Sequence, residues 1–318
     1  MAKGADPLRV VAGLALVAPR IKVMYLPTPK AACTTIKSML ATAEGSHHPE
    51  MAERLAVMHV SRAQTIHHPK VHGLAHLTDL TQSEQHEVLS SPDWLRVASI
   101  RDPISRAYSA WENRIFLRAH RRSTTLAELA HDVLTDGRVD LAASFAHFAK
   151  VLGDNADPFM ADHHFQPQAL LVRPDLVNYS LLVRVDQPGE IDSLAQVLSE
   201  RSGKQIRATR LNEGLGIKVE RVCDIQTANR LMATYQIDYE TFGFARRAWS
   251  PVVEPMLLGD METRLVMQYR HLFNRAVSVS RESQRRVGAR YGFGQMRRGL
   301  WRFVRRENSP YDPREVQP

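Results

Sequence analysis

A chain of 318 residues, 44% hydrophobic and 24% charged, holds enough apolar material for one large or two small domains and is excluded from the disordered class. Its net charge of +8 calls for an anionic partner, without choosing among nucleic acid, anionic lipid, acidic glycan and nucleotide. Two cysteines, Cys33 and Cys223, exclude a disulfide framework and fit a reducing compartment. The apolar run 10–18 is too short to cross a bilayer and predicts a strand or helix packed on the core.

Residues 21–40, IKVMYLPTPKAACTTIKSML, read as a strand running into a helix start. Val23, Tyr25 and Leu26 make the strand, and Pro27 and Pro29 end it. Thr34 and Thr35 open a helix with apolar positions at Ile36, Met39, Leu40 and Ala43. The first N–H groups of a helix lack partners, and its dipole favours negative charge there. Lys30 adds a point charge, the threonines add hydroxyl donors, and Ala31, Ala32 and Cys33 let an anion approach the backbone. The pattern is that of a phosphate or sulfate pocket, with Cys33 read as a small residue that fits rather than as a reactive thiol.

Residues 55–60, LAVMHV, read as a second strand, and 61–79 as a polar connection carrying His67, His68, His72 and His76. Thr81 and Glu84 have capping-box spacing. The strand 94–100, WLRVASI, runs into Arg101; Asp102 suits an N-cap and Pro103 the first position of a helix reaching about residue 119. A helical, then irregular stretch fills about 120–175. A strand at 177–185, a helix from Pro188 to near Gly203, helical spacing over 218–236 and DYETFGF at 238–244 complete the main domain. The alternation predicts an α/β fold with a central parallel sheet flanked by helices. The expected domains are 1–250, with a helical insertion at about 120–175, and a basic helical extension at 251–318.

A second constellation is RDPISRAYSAW, 101–111. Arg101 stands at the carboxyl end of a strand, where open α/β sheets bind ligands. Ser105 and Ser109 follow at intervals of four, so the three positions share one helical face. A guanidinium there can grip a phosphate in bidentate fashion; the alternative is pairing with a local carboxylate. Two anion sites imply a ligand with two separated anionic groups.

PTPKAACTTIKSML resembles the 5′-phosphosulfate loop of the carbohydrate sulfotransferases, in particular the chondroitin/dermatan 4-O type of sulfotransferase family 2, and SIRDPISRAYSAWENRI resembles their 3′-phosphate motif. DHHFQPQALL, YSLLVRVDQ and DYETFGF fit the same order, so the likeness covers roughly residues 20–245. It implies a P-loop-like three-layer fold and 3′-phosphoadenosine-5′-phosphosulfate as sulfuryl donor. Lys30, Ala32, Cys33, Thr34 and Thr35 would hold the 5′ group, Arg101 and Ser109 the 3′-phosphate, with no metal. Trp111 replaces the family's usual tyrosine and Phe165 its frequent tryptophan, swaps expected to reshape the acceptor cleft. No G-x-x-x-x-G-K-[ST] is present, which disfavours nucleotide triphosphate hydrolysis.

Attack by a hydroxyl on sulfur needs a base. Related heparan-type enzymes take a histidine from the stretch before the 3′-phosphate strand, which makes His76 the first choice here and His72 the second. His164 is a third, and Glu44 and Glu112 remain open. The other histidines lack zinc spacing. The expected activity is in-line sulfuryl transfer to a hydroxyl of a carbohydrate or glycolipid, in the cytoplasm, without nucleic acid. A non-catalytic anion-binding module and a kinase-like phosphoryl transferase are the alternatives. The segment RRGLWRFVRR at 297–306 reads as a packed helix with a solvated basic face, or as a peripheral contact with the inner face of a membrane.

Overall fold

The computed structural model describes residues 7–56, 62–118, 123–209, 214–287 and 296–297. In chain order, α1 (Pro7–Leu14), β1 (Leu16–Ala18) and β2 (Val23–Leu26) are followed by α2 (Cys33–Glu44), α3 (Pro49–Ala56), α4 (Pro69–His72), β3 (Ala75–His76), α5 (Gln82–Ser90), β4 (Leu95–Ile100) and α6 (Pro103–Trp111). Then come α7 (Ser123–Leu129), β5 (Val133–Thr135), β6 (Arg138–Asp140), α8 (Leu141–Asp154), α9 (Asp157–Met160), α10 (Gln168–Val172) and β7 (Leu181–Arg184). The chain continues through α11 (Glu190–Ser202), α12 (Ile225–Thr234), α13 (Gln236–Phe242) and α14 (Asp260–Val287).

Five strands form the central sheet in the order β3-β1-β2-β4-β7. The expected parallel pairing holds for β2 with β4 (Leu26↔Ala98) and for β4 with β7 (Ile100↔Arg184). The strands β1 and β3 add an antiparallel margin, with Leu16 facing both Tyr25 and His76. Only residues 19–22 join β1 to β2, too few for the crossover that parallel strands need. Lys22, in the left-handed region at φ 51°, closes that turn.

Alternation along β2 builds two faces. Val23 and Tyr25 pack with Ile36, Met39 and Leu40 of α2 and Leu194 and Leu198 of α11. Met24 and Leu26 pack with Val11 of α1, Val172 of α10 and Phe242 of α13. Helices therefore cover both sides of the sheet, giving three layers. Beside them, α6, α8 and α12 enclose an aromatic core of Trp111, Phe116, Phe145, Phe148, Phe159 and Phe165.

That core corrects one expectation. Trp111 and Phe165 are 1% and 0% exposed and pack against Phe116 and Phe148 with ring centroids at 5.4 and 5.7 Å, so these swaps fill the interior and line no cleft. A second correction concerns 55–60. Leu55 and Ala56 end α3, because a short apolar run carries no period to separate strand from helix end; residues 57–60 lie outside the described residues. Cys223 is fully buried, and burial pushes its thiol up to about 12.

Contacts divide the chain into units 1–273 and 274–318. The first contains the sheet and everything discussed below. The second is described for the end of α14 and for residues 296–297; the rest of RRGLWRFVRR lies outside the described residues. Among the described residues no helix is long and apolar enough to cross a membrane.

Candidate functional site

The loop between β2 and α2 is built around two non-glycine residues in the left-handed region, Lys30 at φ 66° and Ala32 at φ 54°. Such backbone is uncommon outside glycine and concentrates at functional turns. Ala32 stands at the N-cap of α2 and offers it no side-chain acceptor, so the first helical N–H groups keep their capacity for an anion. Thr28, beneath the loop, is 0% exposed, and its hydroxyl has no hydrogen-bond partner. An orphaned hydroxyl, an uncapped helix and a lysine at one turn fit a phosphosulfate group. Lys30 has its pKa lowered to about 8: burial dominates, Arg114 and Arg101 push the same way, and Cys33 and Glu112 oppose them.

The turn after β4 is built differently. Asp102 caps α6 by accepting from the Ser105 N–H at 2.8 Å, with Pro103 in the first turn. Along the predicted stripe, Arg101, Ser105 and Ser109 are half-exposed while their neighbours on α6 are buried. Arg101 reaches across and donates from Nη1 to the Lys30 carbonyl at 3.3 Å. Two segments 71 residues apart thus become one site.

Residues without a local signature hold this junction. Arg106, 1% exposed, donates to the carbonyls of Pro29, Gln166 and His163 at 2.9, 2.7 and 3.0 Å. The Gln168 side-chain amide accepts from the Arg101 N–H and donates to the Arg101 carbonyl, both at 2.8 Å. Asp238 accepts from Gln168 Nε2 (3.3 Å) and from the Ala169 N–H (2.8 Å). Asp186 accepts from the Asp102 N–H at 3.3 Å. The three weaker motif segments therefore meet here: DHHFQPQ supplies Gln168, YSLLVRVDQ supplies Asp186 and DYETFGF supplies Asp238. Arg247, also unforeseen, donates to Asp102 (2.8 Å) and Ser105 (3.0 Å) and lies over the Trp249 ring at 4.6 Å.

The predicted bases are placed unequally. His72 is buried, and its Nδ1 accepts from the Leu74 N–H at 2.9 Å. Burial, then Lys37, His76 and His68, lower its pKa to about 4. The neutral ring spends its one lone pair on the backbone. His76 lies on the edge strand β3, where its N–H donates to Asp79 at 2.8 Å and its Nδ1 is buried without a hydrogen-bond partner. His164 Nδ1 meets Asp162 at 2.7 Å, and Arg114 Nη2 lies 2.7 Å from its Nδ1 and 2.9 Å from its Nε2. Burial, with Arg114 and Lys30, lowers its pKa to about 3, and Asp162 acts against them.

Glu44 is corrected outright. It accepts from the N–H groups of Arg20 and Ile21 at 3.1 and 3.3 Å, at the far end of α2 from the loop. Glu112 lies in the site: it is buried and sits in the electrostatic field of Lys30 and Arg101.

The two loop threonines also have partners. Thr35 donates to the Thr209 carbonyl at 3.2 Å, and Thr34 Oγ1 bonds His67 Nε2 at 3.1 Å, a histidine of the polar connection that is not among the candidate bases. Beside Thr35, the residues Ser38, Thr42, Gln205 and Arg207 line a pocket of about 220 Å³. Among the described residues no group of three or more His, Cys, Asp and Glu is placed to hold a metal.

The model of the sulfotransferase family matches residues 14–245. Comparison with curated proteins and with solved structures gives no match.

Proposed function

The chain belongs to the sulfotransferase family, and within it we propose that the protein moves a sulfuryl group from 3′-phosphoadenosine-5′-phosphosulfate to a hydroxyl of a carbohydrate or glycolipid. The observation that carries this reading is the Arg101–Lys30 link at 3.3 Å. It brings the strand end that carries Arg101 against the loop that carries Lys30, which supports a single ligand with two anionic groups reaching both.

Lys30 donates a hydrogen bond to the oxygen that leaves with the phosphate, where negative charge grows during in-line transfer. The uncapped start of α2, with Ala32 and Cys33, supplies backbone N–H groups to the neighbouring oxygens, and Thr34 and Thr35 add hydroxyls. Arg101 and Ser109 take the 3′-phosphate, which fixes the nucleotide's orientation and the line of attack. These residues stabilise charge without a metal. Burial lowers the Lys30 pKa to about 8, and an anion bound beside it favours the charged form. The chain's free thiols and basic charge agree with work in a reducing compartment on an anionic donor.

Calorimetry with adenosine 3′,5′-bisphosphate, with and without magnesium, tests the reading. Stoichiometric binding indifferent to magnesium is expected. No binding, or binding only with magnesium, overturns it. Binding without turnover of labelled donor points to the non-catalytic alternative.

A further inference from the structure

We propose that Glu112 is the general base that takes the proton from the acceptor hydroxyl, an assignment that rests on the sulfuryl-transfer reading. Glu112 opens a π-helical turn, 112–116, at the end of α6. Its carbonyl accepts from the Leu117 N–H at 2.8 Å, five residues on. Such widened turns recur at functional sites because they offset a side chain from the register of its helix.

The carboxylate is fixed but not consumed. Oε1 accepts from the Leu215 N–H at 2.8 Å. Oε2 lies against Gly214, where an added Cβ would come within 1.8 Å of it. Among the described residues, the charged and titratable groups facing it are Lys30 from the loop after β2, Arg101 from the end of β4 and Tyr108 from α6. Among the described residues no ion pair joins Glu112 to either cation, so each acts on it across a gap. A carboxylate in the field of Lys30 that makes no ion pair with it is open to an acceptor hydroxyl at the same site.

Among the described residues the other acids around the cleft are spent. Asp102 caps α6 and binds Arg247, Asp162 holds His164, Asp186 holds the Asp102 N–H and Asp238 holds Gln168 and Ala169. His72 and His164 have committed their lone pairs. A carboxylate has room for several partners, and Glu112 retains the capacity to accept a proton.

In the step, the acceptor O–H gives its proton to Glu112, and its oxygen forms a bond to sulfur. The bond from sulfur to the bridging phosphate oxygen breaks, and that oxygen leaves with the electron pair beside Lys30. Burial raises the Glu112 pKa, against the opposing pull of the Leu215 N–H, Lys30 and Arg101. The base is therefore competent above that raised value, and the rate falls as pH drops through it.

The test is Glu112→Gln in the full chain, which keeps an oxygen for the Leu215 N–H. Transfer of ³⁵S from labelled donor to water and to a panel of p-nitrophenyl glycosides is followed against pH, with adenosine 3′,5′-bisphosphate binding measured in parallel. Expected are a fall in kcat of about 10²- to 10⁴-fold, bisphosphate affinity equal to or tighter than the parent's, and loss of the acid limb. Turnover within about threefold of the parent, or a slower rate with the same acid limb, overturns the assignment. Should Glu112→Gln fail to fold, Glu112→Asp decides: a slowed rate with a shifted acid limb supports the base, and an unshifted limb overturns it. A parent chain that neither binds the bisphosphate nor releases sulfate overturns the transfer reading and this one together, whereas a parent that transfers while Glu112→Gln is unaffected overturns only the base.

Discussion

The turns that follow β2 and β4 look alike in sequence, each a strand running into a helix, yet they are finished in opposite ways. After β4 the helix start is satisfied internally, by Asp102 as cap and Pro103 in the first turn. After β2 it is left open, with Ala32 in the cap position and backbone in the left-handed region on both sides of Ala31. At the capped turn Asp102 takes the Ser105 N–H and Pro103 has none, so the anion contacts proposed there are side chains, Arg101 and Ser109. An uncapped turn offers the backbone itself, and Lys30 adds the charge. One ligand can thus be gripped rigidly at one end and by longer side chains at the other.

This contrast can be broken most forcefully at Lys30. Lys30→Ala should lower turnover of labelled donor by about 10³-fold while the circular dichroism spectrum and melting temperature stay near the parent's; near-normal transfer would remove Lys30 from the chemistry. The same residue sets an alkaline limb. Its folded pKa is lowered to about 8, so in the free chain its charge, and with it kcat/KM, is present below that pH and lost as pH rises through it.

Next comes Arg106, which ties the open turn to the helical layer. Arg106→Ala leaves the carbonyls of Pro29, Gln166 and His163 without their buried donor, and a loss of about 3 kcal/mol in urea unfolding is expected. A smaller effect sharpens the contrast directly. Ala32→Asp puts a carboxylate at the open helix start, where its charge competes with the ligand; bisphosphate affinity should fall by about 30-fold in calorimetry. The smallest is Asp102→Ala, which should cost about 1 kcal/mol of stability through the lost cap. An equal loss of bisphosphate affinity from Ala32→Asp and Asp102→Ala would erase the distinction between the turns.

What the sequence made legible follows from the same physics. The β2–α2 and β4–α6 units carry their signals locally, in proline stops, cap spacing and apolar periods, and both begin where expected. The helix read as reaching about residue 119, however, ends at Trp111 and passes into the π-helical turn 112–116. The capping box at Thr81 and Glu84 is present as read, and α11 ends at Gly203. The pieces that escaped are long-range. Arg106 meets Pro29 across 77 residues, and Gln168 meets Arg101 across 67; a bond to a distant carbonyl leaves no local pattern. The antiparallel margin was hidden because β1 and β3 are three and two residues long. Among the candidate bases, sequence position favoured histidines, while the lone pairs of His72 and His164 are consumed by partners that only folding brings near.

The Gln168 side chain serves as a piece of sheet. By accepting from the N–H and donating to the carbonyl of Arg101, its amide imitates a neighbouring strand one residue long, supplied by the helical layer and docked on the end of β4. The strand therefore finishes against a borrowed partner. The distance between Arg101 and Lys30 is set by both layers at once, and the helical layer cannot melt away while leaving the ligand cleft standing on the sheet.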